Sequence, residues 1–197
     1  MVEDTSSLII GVSGHRFLAD EEKIQQGVEI ALRNIKRYFP SRDLICLTSL
    51  AEGADRLVAK IILGLHSGKI WAALPFTSEQ YCMDFQSLQS QQEFHTLLNQ
   101  AMQVEIMPAT TSKELAYLAA GKYVLDHCDV LLSIWDGSNA LGQGGTGEIV
   151  TMAHKHNKPI AWIHAGNRKE GTQQVTSLGK EQGELTLENF HGIDKGR

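Results

Sequence analysis

No apolar run in the 197-residue sequence approaches the roughly 18 to 20 residues that a membrane helix needs. The opening Met1-Val2-Glu3-Asp4 lacks the positive region that starts a secretory signal. The expectation is a cytoplasmic protein without a membrane partner. A basic stripe is also missing: 18 Lys and Arg are mixed among 23 Asp and Glu for a net charge of −5, so extended nucleic acid is not an expected partner. Cysteine is sparse. Cys46, Cys82 and Cys128 are odd in number, widely spaced and without a Cys-x-x-Cys pair, which reads as reduced, mostly buried thiols. His154 and His156 stand two residues apart, on different sides of a helix, and make a poor metal pair; no metal is expected. There is no internal repeat, no long low-complexity run and no Gly-Lys-Ser/Thr ending of a nucleotide triphosphatase loop.

What is present is alternation. The chain has the length of one domain with a substantial core. Leu8 to Val12, Leu44 to Leu47, Ile70 to Leu74, Val104 to Met107, Asp129 to Trp135 and Ile160 to Ile163 are short apolar runs that read as strands. Between them, Glu21 to Tyr38 places Ile24, Val28, Leu32 and Ile35 at helical spacing, and Ala54 to Leu65 does the same with Leu57, Val58, Ile61 and Ile62. Further helices are expected around Phe94 to Ala101, from Ser112 and from Gly145. Phe76 to Ser90 has no clear period and reads as a partly helical excursion over the sheet, with Phe85 packing and Tyr81 and Asp84 either covering a ligand or packing. This order predicts an α/β fold, a three-layer Rossmann-like sandwich in which a mostly parallel sheet carries helices on both faces. Residues 1–165 are expected to form that domain. Residues 166–197 shift to Gly, Gln, Lys and Glu and read as a polar tail with one late element around Leu185 and Leu187.

The unusual residues collect where the predicted strands end. These are Gly11-Val12-Ser13-Gly14-His15-Arg16, Thr48-Ser49-Leu50-Ala51-Glu52-Gly53-Ala54-Asp55, Pro75-Phe76, and Asp136-Gly137 followed by Gly142 to Glu148. In an open α/β sheet those ends share one edge, where ligands bind. Glycines in the last loop allow close backbone approach, and amides at the following helix start donate to anions, so Gly144, Gly145, Thr146 and Gly147 are candidates for a phosphate. Arg16 either forks onto that phosphate or forms a surface ion pair. Gly11, Ser13 and Gly14 are further candidate ligand contacts. Asp136 either accepts from ribose hydroxyls or closes a turn, and Glu52, Asp55 and Glu148 either serve the ligand or favour helix starts. Gly142-x-Gly144-x-x-Gly147 matches the dinucleotide fingerprint literally, but that fingerprint belongs at the first strand-to-helix turn with an acid about 20 residues on. No nicotinamide or other cofactor is expected.

Ala51-x-Gly53-x-Asp55 and Gly144-Gly145-Thr146-Gly147-Glu148, with Gly11-x-x-Gly14, resemble the SLOG superfamily of the DNA-processing Smf proteins and the Lonely Guy phosphoribohydrolases, across about residues 8 to 164. The resemblance implies a Rossmann-like fold, often a homodimer, that holds a nucleotide-derived small molecule with the Gly-rich loop on its phosphate. In the enzymes an Arg and a Glu assist cleavage of base from ribose 5-phosphate, which makes Arg16 and Glu148 the candidate catalytic pair, the carboxylate stabilising oxocarbenium-like charge. The sequence departs from the enzymes at that acid, whose place is taken by Thr151, while Glu148 directly follows Gly147. Two functions therefore stand: binding or sensing of a phosphorylated nucleotide-derived molecule, and N-glycosidic cleavage of a nucleoside 5′-monophosphate.

Overall fold

The computed structural model describes residues 7–40, 42–85, 87–138, 145–169, 172, 174–175 and 178–190. Its sheet has seven strands: β1 (Leu8–Gly14), β2 (Leu44–Thr48), β3 (Lys69–Leu74), β4 (Ala101–Ile106), β5 (Val130–Trp135), β6 (Ile160–His164) and β7 (Leu185–Glu188). They lie in the order β4-β3-β2-β1-β5-β6-β7. β1 to β6 run parallel, with Ile10 of β1 opposite both Cys46 and Val130; β7 closes one edge antiparallel to β6. The expected α/β sandwich with a mostly parallel sheet is thus present. Among the described residues no helix is long and apolar enough to cross a membrane.

Alternation along β1 explains the layers. Ile10 and Val12 join the large core under α1 (Glu21–Tyr38) and α2 (Ala54–Leu63), whereas Gly11 faces α5 (Lys113–His127) so closely that a Cβ would come within 2.7 Å of Cys128 Cβ. α5 and α6 (Thr146–Lys155) cover this second face. α1 has the bounds its periodicity predicts: Asp20 caps it by accepting from Lys23 N, Glu21 and Glu22 occupy the first turn and Lys36 and Arg37 the last. Its buried Ile24, Val28, Leu32 and Ile35 each contribute roughly 1.5–3 kcal/mol of burial. α2 stops two residues before the expected Leu65, at the glycine that follows Leu63. β4 begins three residues before Val104 and leaves Met107 outside, because an edge strand with mostly exposed side chains shows little apolar pattern.

The excursion after β3 contains α3 (Ser78–Cys82) and leads into α4 (Leu88–Leu98). Phe85 packs in the core beside Tyr81 and Phe94, with ring centroids 4.9 and 5.0 Å away. The late element around Leu185 and Leu187 is β7, and Phe190 beyond it is buried 5.0 Å from the Tyr38 ring.

Arg56 ties these pieces together from the first turn of α2. Only 2 % exposed, it donates from Nε to Leu50 O (3.0 Å) and from Nη1 to Ser90 O, Ser90 Oγ and Glu93 Oε2 (2.9, 2.8 and 3.1 Å), and its guanidinium lies 4.3 Å from the Phe85 ring centroid. Arg56→Ala removes these four bonds and leaves the buried Leu50 carbonyl without its side-chain donor, so urea denaturation should show a loss of about 3 kcal/mol. A loss under about 1 kcal/mol would mean that the guanidinium is not what joins α2 to α4.

Candidate functional site

The strand order reverses between β1 and β5, the place where an open α/β sheet forms its crevice. A cleft of about 300 Å³ opens there. Ser13 and Gly14 at the end of β1 and Arg16 just beyond form one wall; Ser49, Ala51 and Asp55 from the β2–α2 turn form another. Tyr81 of α3, Tyr117 and Gly121 of α5, and Gly145, Thr146 and Ile149 around the start of α6 complete it.

The β2–α2 turn is built around Asp55. Its buried Oδ2 accepts from Thr48 Oγ1, Ser49 N and Ala51 N at 2.9, 3.1 and 3.3 Å. Leu50, within the ring these bonds close, takes a left-handed φ of 57°, and Thr48 Oγ1 and Arg56 Nε bind its N–H and C=O. Burial pushes the Asp55 carboxyl up to about 6, against the pull of Thr48, the turn amides and Arg16.

Arg16 lies over the Tyr117 ring, 5.0 Å from its centroid. Burial works against its charge, but Tyr81, Tyr117 and Asp55 more than offset that and raise its pKa, so it remains a cation. Tyr117 is itself fixed: its hydroxyl donates to Asp84 Oδ2, and Lys113 Nζ reaches Asp84 Oδ1 at 2.5 Å. Although burial opposes it, the bonds from Lys113 and Tyr117 hold the Asp84 carboxyl below its usual range. Tyr81 is fully buried and its hydroxyl has no hydrogen-bond partner among the described residues; burial, then the field of Asp55, raises its pKa.

Several sequence candidates have other tasks. Gly11 serves α5 packing, and a Cβ on Gly14 would lie 2.5 Å from Ala54 Cβ. Gly53 has φ 76°, and a Cβ there would meet Arg16 O at 2.2 Å and His15 O at 2.5 Å. Only glycine lets the start of α2 dock on the β1–α1 loop, where Ala54 N donates to His15 O (3.0 Å). Glu52 accepts from Ser90 Oγ and faces α4, away from the cleft. Asp136 Oδ1 accepts from Ser138 N (2.9 Å) and Asp136 N–H donates to His15 Nε2 (3.1 Å); burial holds His15 below its ordinary value against the pull of Asp136, as an accepting neutral ring requires. Gly145 and Thr146 line the cleft and Gly147 is buried in the first turn of α6, whereas Gly144 lies outside the described residues. Glu148, half-buried, is not among the described residues that line the cleft. Thr151, where the enzymes of the resembled family hold their acid, donates its hydroxyl to Gly147 O at 2.7 Å.

Sequence reasoning did not single out Tyr117 or Gly121. They sit at i and i+4 on one face of α5, and a mid-helix glycine, costing about 1 kcal/mol against alanine, signals close approach. A Cβ on Gly121 would be 2.7 Å from Ile149 Cδ1 of α6. Among the described residues no group of three His, Cys, Asp or Glu side chains is arranged to hold a metal ion.

Asp55 binds its proton more tightly folded than unfolded, so its stabilising contribution is complete below about pH 4 and is lost as pH rises through about 6. Denaturation curves from pH 4 to 7.5 should show the native protein losing on the order of 2 to 3 kcal/mol relative to Asp55→Asn, whose side chain does not titrate. Parallel pH profiles for the two proteins would show that Asp55 titrates normally.

The chain matches no protein-family model and no curated protein.

Proposed function

We propose that the chain is a cytoplasmic binding or sensing module for a phosphorylated, nucleotide-derived small molecule, held in the cleft beyond the carboxyl ends of β1 and β2. The observation that carries this reading is the Tyr81 hydroxyl, fully buried and without a hydrogen-bond partner among the described residues, at the wall of a cleft that also contains the Arg16 cation. A buried hydroxyl without an acceptor costs about 1–3 kcal/mol, and a bound anion removes that cost. The amino end of α6, where Gly145 offers no side-chain cap, adds amide donors and a positive dipole end for a phosphate. Asp55 and the hydroxyls of Ser13 and Ser49 suit the hydroxyls of a ribose. The likeness to SLOG motifs supports the same reading, and membership in that superfamily is part of the proposal.

Geometry favours binding over cleavage of the N-glycosidic bond. Of the described carboxylates, Asp55 is the one that lines the cleft, and its Oδ2 is engaged by three donors.

Thermal shift with AMP, ADP and ADP-ribose tests the proposal. At a ligand concentration 100 times Kd, stabilisation of about 2.7 kcal/mol is expected. Arg16→Gln should weaken binding about tenfold or more, and Tyr81→Phe by several-fold, roughly the values of a charged and a neutral hydrogen bond. Chromatography of the same samples should show no free base. Unchanged melting across all three nucleotides would sink the reading, and base release would replace it with hydrolysis.

A further inference from the structure

Arg16 also lines a second, larger cavity, of about 480 Å³. This cavity lies at the amino ends of two helices, with Glu21 starting α1 and Gly53 preceding α2. Five cations line it: Arg16, Arg56, Lys60, Arg168 and Lys169. The opposing carboxylates are Glu21, which is exposed, and Glu93, which is already shared between Arg56 and Lys60 at 3.1 and 2.9 Å.

Two guanidinium nitrogens of residues in this wall have no acceptor among the described residues. Arg168 donates from Nη2 to Leu18 O at 2.8 Å, which holds it against the β1–α1 loop, yet its buried Nε has no partner among the described residues. The same is true of Nη2 of the buried Arg56. Excess positive charge and guanidinium donors without a partner among the described residues together favour an oxyanion, and guanidinium forks match phosphate oxygens in particular. Apolar ligands and cations fit the same wall poorly.

We propose that this cavity is a second anion site that holds a phosphoryl group, with Arg168 and Lys169 as its principal contacts and Arg16 as the wall it shares with the cleft. The phosphoryl group belongs either to a free phosphate-type ion or to the far end of a ligand whose first phosphate sits in the cleft. The linked form rests on the nucleotide reading of the cleft; the free form does not. Arg56 is excluded from the test because its bonds hold α2 to α4.

Calorimetric titration of inorganic pyrophosphate into the native chain, into Arg168→Gln/Lys169→Ala and into Tyr81→Phe is the experiment. Binding to the native chain should weaken about tenfold or more in the double variant and by no more than several-fold in Tyr81→Phe. No binding, or equal affinity in the double variant, overturns the second site. AMP and ADP-ribose, titrated into the same proteins, separate the sources. A loss for ADP-ribose as well as pyrophosphate in the double variant, with AMP unaffected, identifies a linked ligand, whereas a loss confined to pyrophosphate identifies a free ion, and either supports the site. Pyrophosphate binding that needs Arg168 and Lys169 without any nucleotide binding would retain the cavity and remove the nucleotide reading. Nucleotide binding that ignores the double variant, with no pyrophosphate binding, would do the reverse.

Discussion

The contact on which the site depends is a backbone one. Gly53, at φ 76°, lets α2 begin directly against the carbonyls of His15 and Arg16, and Ala54 N closes the joint with a bond to His15 O. A β-carbon at that position would collide with main-chain atoms on the neighbouring loop, and main chain cannot swing aside as a side chain can. The joint therefore fixes the β1–α1 loop, which carries Arg16, relative to the β2–α2 turn, which carries Asp55. Neither loop is regular structure: the first is further tied by His15 N to Ile134 O and Ala19 N to Gly166 O, the second by the bonds that Asp55 accepts.

The first turn of α2 then sends two consecutive charged residues in different directions. Adjacent helical positions are about 100° apart, so Asp55 turns to the cleft while Arg56 turns to the Ser90 and Glu93 side of the molecule. Both are nearly inaccessible, which is tolerable because both are hydrogen-bonded: Asp55 by a hydroxyl and two amides, Arg56 by two carbonyls, a hydroxyl and a carboxylate. What differs is the remainder. Burial still leaves Asp55 reluctant to ionise, and Nη2 of Arg56 has no partner among the described residues. The helix start thus holds its shape while keeping polar groups that the described residues do not fully satisfy.

The fold was legible because its signals are local and repeated. Ile24, Val28, Leu32 and Ile35 mark one stripe and Asp20 caps it, so α1 has the limits its periodicity gives; buried parallel strands such as Leu44–Thr48 read as unbroken apolar runs. β4 begins before its apolar signal at Val104 because solvent-facing residues at a sheet edge lack that contrast. In the site, the loops after β1 and β2 stood out as clusters of Gly, Ser, Arg and Asp at strand ends. Tyr117 did not, since its place in the cleft depends on how α5 crosses the sheet and on Asp84, 33 residues earlier in the chain, which fixes its hydroxyl. Sequence shows which residues are unusual, but contacts between distant segments decide which of them meet. Glu52 and Asp136 show the other side of the same limit: each stands at the right strand end, and each spends its hydrogen bonds on neighbouring structure.

Whether such a cleft holds a nucleotide or cuts it depends on where a carboxylate stands. Cleavage at the sugar needs an acid that can approach the anomeric carbon or its water, with lone pairs free to stabilise the charge that develops. Asp55 is held at the wall by bonds that run along its own turn, and these fix its carboxyl rather than leave it a mobile base. α6 presents Thr146 and Ile149 to the cleft, and the Thr151 hydroxyl is spent on the preceding turn. The donors of the cleft, by contrast, are well placed for a stable charge: a cation stacked on Tyr117, the amino end of α6 and the buried Tyr81 hydroxyl all favour an anion that is already present in the ground state. Interactions of that kind lower the energy of the bound ligand as much as that of any transition state, which gives affinity without rate.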